Sequence, residues 1–488
     1  MTMQLDERYL PLIGGSFQAR SDAWFDAIDP ATGAHLAKIA RCGADEIDAA
    51  ARAAREALPG WRSTPAAERA QCLLRLADAI AADIDRLAEI DARDIGRRLA
   101  ETRMDHQFAI SQYRYFAAAV VTMEDFGGPT PNGHFIAMRE PIGVCGQIIP
   151  WNVPAIMTAF KLAPALAAGN TVVLKPDENA SLSTLVLAQK LADIFPPGVV
   201  NVVPGFGEEA GAALTAHPHI AKIAFTGSSE IGRVVATAGA QRLVPVSLEL
   251  GGKSPNIVFP DIEDLDAVVD NAAFAATFCN GQSCLAGTRL FVHDDIYATF
   301  VDKLAAGFSQ LRVGSPVAAD TQLGCLVSAK QGQRVLDYID VGRREGARLL
   351  AGGRRVEVPE HGHGYFIAPT LFEATNDMRI AQEEIFGPVL SVIRWNDFDR
   401  MIHEANDVRY GLAAGIYTSN LKHALRTAKA LDVGSVWINQ YANLMSGAPF
   451  GGNKDSGIGR EVCRETLHMY SHLKTVALST EVPAPWYL

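Results

Sequence analysis

Between Ile142 and Thr226, short apolar runs alternate with longer segments of helical spacing. Ile142–Ile149, Thr171–Lys175, Val199–Val203 and Ile220–Thr226 read as strands. The segments between them, Ala155–Ala168, Ser181–Asp193 and Glu208–Ala216, read as helices. Strands joined by helices of this length imply right-handed crossovers and a parallel sheet. A second alternation begins near Asn256 and continues past Gly434, so two stacked α/β units are expected. A length of 488 residues agrees, being too great for one ordinary core.

Outside the alternation, residues 44–58 and 66–100 carry helical spacing, with short strands expected around Leu10–Ile13. Val120–Arg139 turns Gly/Pro-rich and ends in a β-like run, as does the tail from Tyr470 to Val476. The apolar fraction of 48% and charged fraction of 20% suit a globular protein. A net charge of -11 argues against a nucleic-acid partner. The seven scattered cysteines form no disulfide framework and no zinc-ligand spacing, so a reducing compartment and no metal are expected. With no signal-peptide pattern at the start and no apolar run long enough to span a bilayer, a cytoplasmic location and no membrane partner are expected.

The chemistry concentrates in a few stretches. Cys284 lies in Cys279-Asn280-Gly281-Gln282-Ser283-Cys284-Leu285-Ala286-Gly287, a composition that suits a shaped loop better than a packed strand or helix. A lone cysteine is commonly an inert hydrophobe; a helix beginning just after Cys284 would instead favour its thiolate. Cys279 reads as a packing residue. Glu249, before Gly251-Gly252, is either a strand-end carboxylate bonded to turn N–H groups or a partly buried general base. Asn152, in Pro150-Trp151-Asn152-Val153-Pro154, is either a helix cap or a fixed amide able to hold an oxyanion. Gly227-Ser228, after the strand ending at Thr226, is either a plain turn or a phosphate cradle at a helix start. Lys175 and Glu178, just past a strand end, are either a surface ion pair or ribose contacts. An acid at a ribose 2′-OH would favour NAD over NADP. Phe386, between Glu384 and Gly387-Pro388, suits either the core or a flat ring's face.

Together these stretches resemble the aldehyde dehydrogenase superfamily, in its NAD(P)-dependent hydrolytic branch. The resemblance implies two Rossmann-like parallel-sheet α/β domains plus a bridging β arm for self-association to a dimer or tetramer. The expected boundaries are 1–119 and 142–250 for the nicotinamide-cofactor domain, 251–454 for the catalytic domain, and 120–141 with 470–488 for the arm. It implies that Cys284 is the nucleophile, Glu249 the general base and Asn152 an oxyanion donor. It implies cofactor contacts from Trp151, Lys175, Glu178, Gly207, Thr226, Gly227, Ser228, Ile231, Glu384 and Phe386. Glu461 matches a carboxylate sometimes given a proton-relay role, and a structural ion pair is the other reading. Asp177 departs from the pattern, where small residues are more usual.

The implied reaction oxidises an aldehyde to its acid through a thiohemiacetal and a thioester on Cys284, with NAD as cofactor in preference to NADP. Counting from these anchors puts Val153, Met157, Phe160, Phe278, Ser283, Leu285, Leu444 and Phe450 around the aldehyde. That set is mostly apolar and has no Lys or Arg, so a medium-sized apolar or aromatic aldehyde is expected rather than a semialdehyde acid. The alternatives are a semialdehyde or CoA-acylating aldehyde dehydrogenase, and a cysteine esterase without redox chemistry.

Overall fold

The computed structural model describes residues 5–20, 22–359 and 361–481. Residues 1–4 of the expected first domain and 482–488 of the expected arm lie outside them. Within the described residues an eight-stranded sheet is centred on Val144–Ile148. Thr171–Lys175 and then Val200–Val202 lie parallel on one side of it. Ile220–Thr226 and then Val246–Glu249 lie parallel on the other. The chain therefore switches sides after Val202. A crevice opens outside the carboxyl ends of the strands at such a switch.

The second sheet has seven strands in the spatial order Arg348–Ala351, Thr370–Glu373, Val389–Trp395, Arg289–His293, Pro255–Val258, Ala413–Tyr417 and Ser435–Ile438. All its pairings are parallel except the first, which is antiparallel. These strands read as unbroken apolar runs because helices cover both faces; Ile257, Phe291, Leu390 and Ile416 are all fully buried. A separate three-stranded antiparallel sheet joins Phe126–Thr130, Gly133–Pro141 and Ser471–Ser479.

Two features depart from the sequence reading. The helical region 66–100 is broken into Ala66–Ala82 and Ile84–Ile95, the second stopped by Gly96 at φ 72°. A Cβ there would fall 2.5 Å from the Cys325 sulfur, so glycine is required sterically as well as conformationally. The helix Leu99–Val121 follows; the sequence reading assigned no element to 101–119 and began the Gly/Pro-rich excursion at Val120, two residues inside this helix. Its buried positions include polar Thr102, His106 and Gln112, which blur the apolar stripe.

Candidate active site

Four neighbouring parallel strands end in residues singled out above. Trp151 and Asn152 follow Val144–Ile148, and Lys175 ends its own strand. Gly227 and Ser228 follow Ile220–Thr226, and Glu249 ends Val246–Glu249. The second sheet contributes from its opposite edge. Cys284 precedes the strand Arg289–His293, and Glu384 and Phe386 precede Val389–Trp395. The site thus lies where the carboxyl edge of one parallel sheet meets the amino edge of the other.

The Cys284 segment is irregular from Gln282 to Thr288, and no helix starts after the thiol. The conditional expectation of a helix dipole lowering its pKa is therefore not met. Burial pushes the thiol up, and the charges of Glu249 and Glu384 push it further. The N–H groups of Cys284 and Leu285 act the other way. A resting thiol in these surroundings needs a base to become a nucleophile. Cys279 is buried, as expected of a packing residue. The Asn280 amide donates to the carbonyls of Gly96 and Cys325, while its oxygen accepts from Gly324 N–H. The Gln282 oxygen accepts from Val327 N–H at 3.1 Å. The loop is thus shaped by polar side chains turned inward onto backbone.

Asn152 is buried and does not cap the helix Pro154–Ala167. Its amide donates to the Gln282 carbonyl at 2.9 Å, which leaves the amide a second N–H. Glu249 is 4% exposed, and neither of its carboxylate oxygens has a hydrogen-bond partner. Burial raises its pKa well above the carboxylate range. Glu461 raises it further, while Lys161 and Arg460 oppose. The strand-end reading, in which turn N–H groups satisfy this carboxylate, is absent from the structure. An unpartnered buried carboxylate is costly, which marks the position as one shaped for something other than stability.

The glycines explain the motif Glu-Leu-Gly-Gly. A Cβ at Gly251 would meet the Glu384 carboxylate at 2.4 Å, and one at Gly252 would meet the Cys284 carbonyl at 2.1 Å. Gly252 N–H donates to Glu384 at 3.0 Å, and burial raises the Glu384 carboxyl to about 7. Gly252→Ala is expected to displace the Cys284 backbone and lower kcat by about 100-fold. Steady-state kinetics beside a thermal melt checks this.

Lys175 pairs with Glu178 at 3.0 Å, the lysine 2% and the glutamate 27% exposed. Ser228 caps the helix Ser229–Arg242, accepting from Ile231 N–H at 3.3 Å. The Thr226 hydroxyl is buried without a partner. Ile231 is exposed, and a Cβ at Gly207 would meet nothing within 4 Å. Phe386 is half-buried at φ 63° and stands edge-on to Trp151, ring centroids 5.2 Å apart. Val153, Met157, Phe160, Phe278, Leu285, Leu444 and Phe450 join one apolar cluster, against which Cys284 also packs. Ser283 is buried beside them. Phe160 is fully buried against Phe108, and Phe278 stacks on Phe274. Glu461 forms a buried ion pair with Lys161.

The sequence reading missed Arg97, Glu101 and Asp105, which reach the site from the unassigned helix and the turn before it. The signal was present as a basic residue with acids four and eight positions later, a spacing that recurs on one side of a helical pattern.

A pair of parallel-sheet α/β units meeting edge to edge, with a switch-point crevice in the first, defines a Rossmann-like two-domain protein. The family model described as "Aldehyde dehydrogenase family" matches residues 17–476. An aldehyde dehydrogenase of Vibrio cholerae is 42% identical over 99% of this chain and 97% of its own. A fluoroacetaldehyde dehydrogenase of Streptantibioticus cattleyicolor is also 42% identical, again over 99% of this chain and 97% of its own. An NAD+ complex of aldehyde dehydrogenase from Bacillus cereus superposes with a TM-score of 0.95 at 41% identity, covering 97% of each chain. The chain belongs to the aldehyde dehydrogenase family, and it is an oxidoreductase that acts on aldehydes. Among the described residues, no helix is long and apolar enough to cross a membrane.

Proposed function

We propose that the protein oxidises an apolar or aromatic aldehyde to its carboxylic acid by covalent catalysis on Cys284, with NAD as cofactor. The observation that carries this reading is the unpartnered carboxylate of Glu249, buried and near enough to Cys284 for its charge to raise the thiol's pKa. Glu249 accepts the thiol proton and passes it to solvent, and the sulfur adds to the aldehyde carbon. The oxyanion is held by the free N–H of Asn152 and the backbone N–H of Cys284; one such donor contributes about 3 kcal/mol. Bound NAD supplies the acceptor for the hydride. Cys284 then holds the acyl group as a thioester, and Glu249 takes a proton from the water that releases the acid. A cysteine esterase would need no nucleotide, and a CoA-acylating enzyme would need no such base.

The residues fit a dinucleotide. The helix Ser229–Arg242 starts at a strand end with Thr226 unpartnered, Ile231 is exposed, and a Cβ at Gly207 would meet nothing within 4 Å. Lys175 and Glu178 would hold the adenosine ribose, and Glu178 disfavours a 2′-phosphate. Glu384 would hold the second ribose, with Trp151 and Phe386 beside the nicotinamide. In this reading 1–119 and 142–250 carry the cofactor and 251–454 the nucleophile. The arm 120–141 with 470–488 carries self-association, supported by exposed Phe126, Ile136, Leu473 and Leu478 on its sheet. Seven unpaired thiols support a reducing, cytoplasmic setting.

Met157, Leu285, Leu444 and Phe450, which join the apolar core that Cys284 packs against, support the substrate class. A kcat/KM panel of acetaldehyde, hexanal, benzaldehyde and succinate semialdehyde, each with NAD and NADP, tests it. Hexanal or benzaldehyde with NAD is expected to lead. A clear preference for the semialdehyde would overturn the substrate assignment.

A further inference from the structure

Arg97 lies in the turn between the helices Ile84–Ile95 and Leu99–Val121, with its side chain 1% exposed. It pairs with the Asp105 carboxylate and, at 3.5 Å, with Glu101. It also donates to the backbone carbonyl of Asn152 at 3.0 Å. Glu101 in turn accepts the N–H of Cys279 at 3.1 Å. These contacts close a ring. Arg97 holds the Asn152 carbonyl, and the Asn152 amide holds the Gln282 carbonyl at 2.9 Å. Gln282 N–H holds the Cys279 carbonyl at 2.9 Å, and Cys279 N–H returns to Glu101 and Arg97. Cys284 follows Gln282 by two residues.

Stability is a poor account of this cluster. Buried ion groups lose their hydration, and apolar packing of equal volume is commonly at least as stable. Arg97 Nε is also left buried without a partner. Position is the better account. Cys279 and Asn280 sit at φ 56° and 57°, a left-handed pair that non-glycine residues keep only when their surroundings hold them. A planar guanidinium can grip a carboxylate and a carbonyl at fixed angles, which a lysine cannot do.

We infer that Arg97, Glu101 and Asp105 form a positioning device that ties Asn152 and the Cys284 loop to one buried charge, and so sets the spacing of the two oxyanion donors. This rests on the reading of Asn152 and Cys284 proposed above, and goes beyond it in assigning three residues that touch no reacting atom.

The test is the pre-steady-state rate of NADH formation by the full-length enzyme, at saturating NAD and aldehyde, in Arg97→Lys, Asn152→Ala and the double variant. Arg97→Lys is expected to slow the burst about 10-fold. Iodoacetamide alkylation of Cys284 develops no oxyanion, and should stay within about 2-fold of the parent rate. In the Asn152→Ala background the ring is already open, so adding Arg97→Lys should slow the burst by less than about 2-fold. Equal slowing in both backgrounds, or a matching fall in alkylation, would overturn the positioning role while leaving the oxyanion assignment intact. A parental burst rate in Asn152→Ala alone would sink that assignment, and this proposal with it. Should Arg97→Lys fail to fold, Glu101→Gln keeps an acceptor for Cys279 N–H without the charge, and the same criteria apply.

Discussion

Cys284→Ala is expected to abolish aldehyde oxidation, with kcat falling by at least about 10⁴-fold, while NAD binding is retained. In the proposed mechanism the acyl chain becomes bonded to this thiol, so no neighbour could replace it. Cys279 is the nearest rival in sequence, and it cannot substitute. It is buried against the Arg97 cluster, and its surroundings push its thiol well above the ordinary range, with burial the largest cause. The nucleotide contacts proposed above lie on other strands, which is why binding should survive. Nucleotide titration by fluorescence, together with NADH absorbance under turnover, checks both halves. Mass spectrometry of acid-quenched parent enzyme should find the acyl adduct on the peptide carrying Cys284; an adduct elsewhere would refute the assignment.

Glu249→Gln is expected to leave a burst of NADH followed by turnover slowed about 10²–10⁴-fold, the range of a lost general base. The burst itself should slow as well, because Glu249 is also proposed to take the thiol proton. The pH profile carries a sign. A base works ionised, and burial with Glu461 holds Glu249 neutral well above the usual carboxylate range. Parent deacylation should therefore fall as pH drops through that raised value, well before an ordinary carboxylate would protonate. The Gln variant should lose this limb. An unchanged steady-state rate or an unchanged limb would remove Glu249 from its role. The unpartnered oxygens make the prediction sharp, since no hydrogen bond is broken by the change.

Much of the fold was legible because periodicity and turn chemistry act locally. Thr171–Lys175 and Ile220–Thr226 begin and end where alternating apolar runs and bounding turn residues put them. The helix Leu99–Val121 was not legible. Its buried face mixes Thr102, His106 and Gln112 with apolar residues, and those polar groups meet partners outside the helix, such as Asp91 for His106 and Ser446 for the Gln112 amide, each at 2.8 Å. Glycine pairs could be seen but not explained: Gly251 and Gly252 are small because Glu384 and the Cys284 carbonyl approach them from the other sheet.

The residue types at the candidate site were readable in the chain itself, since a thiol, an acid and an amide in glycine-rich turns limit the chemistry wherever they fold. Their states were not. Whether Asn152 caps a helix or faces Gln282, whether Glu249 is satisfied or bare, and whether a dipole or two carboxylates act on Cys284 were decided by groups up to about 130 positions away. Hydration and charge depend on what is near in space, and only the packed chain brings those groups together.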